Sequence, residues 1–181
     1  MTDSLDLGRP TAGDVLDLIL DDHRRFEALL RDLRDSSNDR DAVRRAFSAL
    51  HVAHAEAEEA EVYPTLRRRD AISEHEAEHG EEEHAEGHEA LLKVLEAEEL
   101  EGDDFDELVE GLATAVNHHL TEEELTILNP ARDEIAEDVR SRLGAAFARV
   151  RNARLDEDCG RVDNVRSIVE RAAKKGLLDD E

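Results

Sequence analysis

Apolar residues recur along most of the chain at the three- and four-residue steps of an α-helix. From Gly13 onward, Leu16, Ile19, Leu20, Phe26 and Leu30 form one stripe, and His23 is set into it. The turn-forming run RDSSNDRD (34–41) ends that helix. A second is predicted from about Asp41 to Arg69, with Phe47, Leu50, His54, Glu58 and Val62 on one face. Pro64 removes a backbone donor late in this helix, so its last turns should bend or loosen. A third helix covers roughly 72–99, and Gly102–Asp104 makes the next turn. The fourth runs from about Phe105 to Leu128 with Leu112, Val116, His119, Glu123 and Ile127 on its stripe, and Asn129–Pro130 punctuates it.

Short connections between four such helices predict an all-α fold, an antiparallel up-down four-helix bundle over residues 13–130. Residues 1–12 read as a loose leader. Residues 131–181 form a C-terminal helical extension with two further stripes, Ile135, Val139, Leu143, Phe147 and Val150, then Val162, Val165, Val169 and Ala172. A DEDCG turn (156–160) separates them. These stripes either pack back on the bundle or pair with another chain.

Composition agrees with helices and narrows the partners. Aromatic residues make up 3% of the chain, there is no Trp, and Pro occurs three times in 181 residues, too few aromatics for a β-sandwich and few helix breakers. A formal charge of -25 leaves nothing to neutralise phosphates, which argues against nucleic acid and against an anionic membrane surface. Such acidity reads first as a solvated surface and second as an attraction for cations. Cys159 is the single cysteine, so no intramolecular disulfide framework forms. The polar opening MTDSLDLGRP is no signal peptide and no apolar run approaches a membrane span, so a cytoplasmic location is expected.

The chemistry lies in an internal repeat. With the two halves of the bundle offset by 65 residues, His23 falls on His88, His54 on His119 and Glu58 on Glu123. The apolar positions follow, Phe26 on Leu91 and Phe47 on Leu112 among them. Each half then reads as a lone His followed 31 residues later by a His with a Glu at i+4 (23 to 54, 88 to 119). HAEAE (54–58) and HLTEE (119–123) present an imidazole and a carboxylate to one point, because i and i+4 are neighbours on a helix face. Both pairs sit on apolar stripes. A buried carboxylate without a partner costs several kcal/mol, so these groups must pair with one another or bind cations.

A single His on an apolar face is more often a satisfied core residue than a ligand. The recurrence of four positions with matching spacings favours ligands here. His84 lies one helical turn before His88, about 40° away on the same face, and joins the candidates. His75 and His79 fall roughly on the opposite face and read as surface residues, as does His118. His51, three residues before His54, either lines the site or sits at the edge of the core. Residues 74–89 hold eight Glu and four His, which reads as a solvated face or a weak cation-collecting surface. Imidazole and carboxylate without thiolate suit iron or manganese, zinc less specifically. Asp22, Glu27, Glu59, Glu83 and Glu124 are either orienting partners for the imidazoles or surface charges.

The segments DDHRRFEALL (21–30), HVAHAEAEEAEVYPTL (51–66), EEHAEGHEALLKVL (82–95) and NHHLTEEELTIL (117–128) resemble the hemerythrin, or HHE cation-binding, family. The string H-x-x-x-E-E-x-x-x-Y-P ending at Pro64 is the most specific part. The resemblance implies a bundle holding two iron ions per chain in an oxo- or hydroxo-bridged diiron centre. It assigns five imidazoles, His23, His54, His84, His88 and His119, with Glu58 and Glu123 bridging. It also implies a small ligand, O2 or another diatomic such as NO, or peroxide, for sensing, delivery or storage of oxygen; peroxide or NO detoxification and iron handling are the rival readings. Glu123 stands at i+4 where animal oxygen carriers use an Asp at longer spacing, and about fifty residues follow the bundle. Tyr63, the only Tyr, is placed to reach the centre if it turns inward. A helical scaffold that contacts a partner through residues 131–181 is the reading without a metal.

Overall fold

A computed structural model describes residues 5–178, all of whose regular structure is helical. The helices are α1 (Val15–Arg34), α2 (Arg40–Ala57), α3 (Tyr63–Arg68), α4 (Glu74–Glu96), α5 (Asp103–Glu123), α6 (Asn129–Glu134), α7 (Glu137–Asp156) and α8 (Val162–Lys174). Two single π-helical turns, Glu58–Val62 and Glu124–Leu128, join α2 to α3 and α5 to α6 without a break.

Side chains start these helices where the sequence supplies an acceptor. Asp14 caps α1 by accepting from the Leu16 N–H at 3.0 Å, and Asp39 caps α2 by accepting from Ala42 at 3.0 Å. Ser73 and Glu76 form a reciprocal capping box at the start of α4. Helix α4 then runs unbroken through Gly80 and Gly87. Before α5 the chain turns at Gly102 with φ 91°, a left-handed conformation that a side chain would strain.

The π turns have a sequence cause. Pro64 and Pro130 lack the N–H that would close an ordinary turn four residues back. The preceding residue bonds five back instead: Tyr63 to the Glu58 carbonyl, and Asn129 to that of Glu124. Asn129–Pro130 therefore does not end the fourth helix as expected. The widened turn absorbs the lost bond, and helix continues to Glu134.

Packing separates into two apolar clusters with a polar band between them. One gathers Phe26, Leu30, Leu33, Phe47, Leu50, Leu91, Leu95, Phe105, Leu112 and Val116. The other gathers Val15, Leu16, Ile19, Val62, Leu66, Ala77, Ile127, Leu128 and Phe147. At about 1.5–3 kcal/mol for each large side chain removed from water, these clusters dominate stability. Along α1 and α4 the chain passes from the second cluster to the first; along α2, and along α5 with the π turn that follows it, it passes from the first to the second. His23, His54, His84 and Glu123 each fall at the crossing point.

Helices α7 and α8 pack back onto the rest, α7 against α1 and α2, α8 against α4. Two glycines permit it. A Cβ at Gly144 would collide with the Gly13 carbonyl oxygen, and one at Gly160 with the Ala49 backbone nitrogen. Among the described residues no helix is long and apolar enough to cross a membrane.

Candidate metal centre

The polar band is built from four helices and closed on itself. His23, His54, Glu58, His84, His119 and Glu123 are all buried, Glu58 and Glu123 at 0% and 1% exposure. Ligand atoms of His23, His54, Glu58 and Glu123 lie within 4.8 Å of one another, and so do those of Glu58, His84 and His119. Glu58 belongs to both groups.

Each imidazole offers Nε2 to a central carboxylate and Nδ1 to an outer one. His23 Nε2 lies 3.1 Å from Glu123 Oε2 and its Nδ1 2.8 Å from Glu124 Oε1. His84 Nε2 lies 3.1 Å from Glu58 Oε2 and its Nδ1 2.8 Å from Glu59 Oε1. His54 Nδ1 meets Asp22 Oδ2 at 3.1 Å, and His119 Nδ1 meets Glu83 Oε2 at 3.0 Å. These contacts form a pseudo-twofold set. Asp22–His23 corresponds to Glu83–His84, and His54 with Glu58–Glu59 to His119 with Glu123–Glu124.

That correspondence corrects the repeat read from the sequence. His84, 61 residues after His23, is the counterpart of His23; the offset of 65 holds only for α2 against α5. His88 is buried but stands outside both groups. It packs edge-on against His51 at 4.8 Å between ring centroids, and its Nε2 has no hydrogen-bond partner. Of the five flanking carboxylates, Asp22, Glu59, Glu83 and Glu124 orient imidazoles, while Glu27 is exposed. His75 and His118 are exposed and His79 is half-exposed. Tyr63 turns inward, donates to Glu123 Oε1 at 2.9 Å, and stacks on His84 at 5.8 Å. Gly80 leaves room for that ring, since a Cβ there would stand 2.9 Å from the Tyr63 hydroxyl.

Sequence reasoning missed Arg151. It is fully buried on α7 and holds Asp22 with a two-pronged contact, Nε to Oδ2 at 2.7 Å and Nη2 to Oδ1 at 2.8 Å. The signal was present: Arg151 continues the four-residue step of Leu143 and Phe147, a charge on an apolar stripe.

Electrostatics follow from burial opposed by these partners. Burial alone would lower the His54 pKa, but the adjacent Glu58 carboxylate and the bond to Asp22 outweigh it and raise it to about 10. Burial likewise disfavours charge on His84, and its bonds to Glu58 and Glu59 raise it to about 10. His88 lacks such partners; burial, then the neighbouring His84, push it down to about 4. Burial pushes His51 in the same direction. Tyr63 is driven well above its ordinary value by burial and by the Glu123 charge.

The donors fit a cation better than they fit each other. His54 Nε2 and Glu58 Oε1 are 3.1 Å apart, yet neither makes a hydrogen bond; both are aimed off the line joining them. His119 Nε2 is likewise buried without a partner, 3.7 Å from Glu123 Oε2. Buried polar atoms left without a partner in this way cost about 1–3 kcal/mol each, which a shared cation removes. A model of the hemerythrin HHE cation-binding domain matches residues 14–130. The chain belongs to that family. No curated protein and no solved structure matches it in the corresponding searches. As a hemerythrin-family domain, it carries buried His and Glu groups able to hold a metal cation.

Proposed function

We propose that this hemerythrin-family protein holds two iron ions between its helices and binds O2, or another small diatomic such as NO, for oxygen sensing, delivery or storage in the cytoplasm. The observation that carries the reading is the sharing of Glu58 between two convergent His/Glu groups. His23 and His54 would hold one ion and His84 and His119 the other, with Glu58 and Glu123 between them. His88 would need to move to join them. The alternation of the two apolar clusters along α1, α2, α4 and α5 supports an antiparallel up-down bundle as the frame.

Bound iron would supply redox change and affinity for a small ligand. The protein's part is to fix the donors and exclude water. Asp22, Glu59, Glu83 and Glu124 each take an Nδ1 proton, which leaves Nε2 as the metal-facing lone pair. Tyr63 keeps Glu123 Oε1 engaged and so restrains how that carboxylate turns. The apolar clusters on both sides keep the band dry.

Exposure of the iron-loaded, reduced protein to air tests the assignment. A charge-transfer absorption that forms and then reverses when oxygen is removed is the expected result. Rapid consumption of added peroxide or NO without a stable absorption would overturn carriage in favour of a detoxifying enzyme.

A further inference from the structure

The pseudo-twofold centre has one unequal pair. In one half, Asp22 orients His54 from 3.1 Å; in the other, Glu83 orients His119 from 3.0 Å. The supports behind those two carboxylates differ in kind. Asp22 is gripped by Arg151, and both are buried. All five N–H groups of that guanidinium are used: two on Asp22, one each on the carbonyls of Leu7 and Gly8, and one on Asn152 Oδ1, with Nη2 shared between Asp22 and Leu7. Asn152 in turn donates to the Pro10 carbonyl at 2.7 Å. The segment before α1 and the C-terminal extension are thereby tied to one point, directly behind His54.

Glu83 has no such support. Among the described residues its only cationic neighbours besides His119 are His118 at 3.3 Å and His79 at 3.6 Å, both on exposed rings. Its Oε1 is buried without a hydrogen bond. An arginine fork fixes a carboxylate in plane and in rotation; exposed imidazoles at these distances do not.

We infer that Arg151 is a positioning residue of the metal centre, and that it makes the two ion positions unequal, tight beside His54 and looser beside His119. The inference rests on the two-ion reading of the cluster. It gives the extension after residue 130 a place in the chemistry: α7 delivers the charge that locks Asp22, and Asp22 locks the proton on His54 Nδ1. Partners of this kind set metal affinity by about 10- to 100-fold.

The test is an anaerobic calorimetric titration of the metal-free, full-length chain with ferrous iron. The native chain should take up two ions in resolved steps. Arg151→Met should weaken the tighter step by about 10- to 100-fold and leave the weaker step unchanged. Arg151→Lys, which restores charge without the fork, should recover part of the loss. Glu83→Gln should do the reverse, weakening only the looser step. If Arg151→Met proves unfolded by circular dichroism, Asp22→Asn in the native background replaces it, with the same selective loss expected. Unchanged steps in the folded variant, or equal weakening of both, overturn the inference. Failure of the native chain to bind any iron instead overturns the two-ion reading itself, and that is seen before any variant is made.

Discussion

Tyr63 donates its hydroxyl proton to Glu123 across 2.9 Å, joining the start of α3 to the end of α5 through the centre. The bond ties the two halves of the repeat together at one carboxylate. Because both groups are buried, its loss leaves an acceptor without a donor.

Tyr63→Phe should therefore destabilise the metal-free protein by about 1–3 kcal/mol, the cost of an unsatisfied buried acceptor, while iron content stays at the native value. Urea unfolding monitored by circular dichroism measures the first, elemental analysis the second. Unchanged stability would mean that water replaces the hydroxyl freely.

The two histidines one turn apart on α4 should behave differently. His84→Ala removes the imidazole that faces Glu58 and should lower bound iron by about one ion per chain. His88→Ala, like His75→Ala and His79→Ala, should leave the iron content unchanged. Elemental analysis of the four variants after identical loading decides this. Equal losses from His84 and His88 would mean that His88 moves onto an ion when the centre fills.

That contrast marks where the sequence stopped being legible. The convergence of His54 with Glu58 and of His119 with Glu123 was readable because each His–Glu pair is local, four residues apart on one face. The match between α1 and α4 was not local. His84 and His88 share a face of α4, and only the packing of α4 against α2 and α5 decides which of them lies level with His23. Arg151 was hidden for a related reason, since its partner Asp22 is 129 residues away. The starts read at Gly13, Asp41 and residue 72 fall within about two residues of Val15, Arg40 and Glu74, whereas the end at Pro130 was misread, because the π turn carries the helix past the proline.

Iron uptake should depend on pH in a definite sense. In the metal-free centre the carboxylates hold His54 and His84 protonated up to about pH 10. A metal ion needs those imidazoles neutral, so it must displace their protons. Affinity should rise as pH increases from 6 toward 9, by about tenfold per unit for each proton released. Titration in two buffers of different ionisation enthalpy counts the protons. Uptake without proton release would contradict the paired arrangement.

Cys159 should be inert. It is buried, its thiol donates to the Ala49 carbonyl at 3.4 Å, and burial followed by the Glu56 charge pushes its pKa up to about 12. Reaction of the native protein with an aromatic disulfide reagent at pH 7.5 should run about a thousandfold slower than that of an ordinary thiol, with the full rate regained in denaturant. A fast native reaction would show that the turn between α7 and α8 opens readily from α2.

The proposed two-iron centre depends on Glu58 lying between its ions. The most direct measurement is elemental analysis of the full-length chain, native and Glu58→Ala, loaded anaerobically with ferrous iron and freed of excess. Two irons per native chain and at most one in the variant are expected, since both ligand groups lose a member. Less than one iron or manganese per native chain, or an undiminished count in Glu58→Ala, would contradict that arrangement.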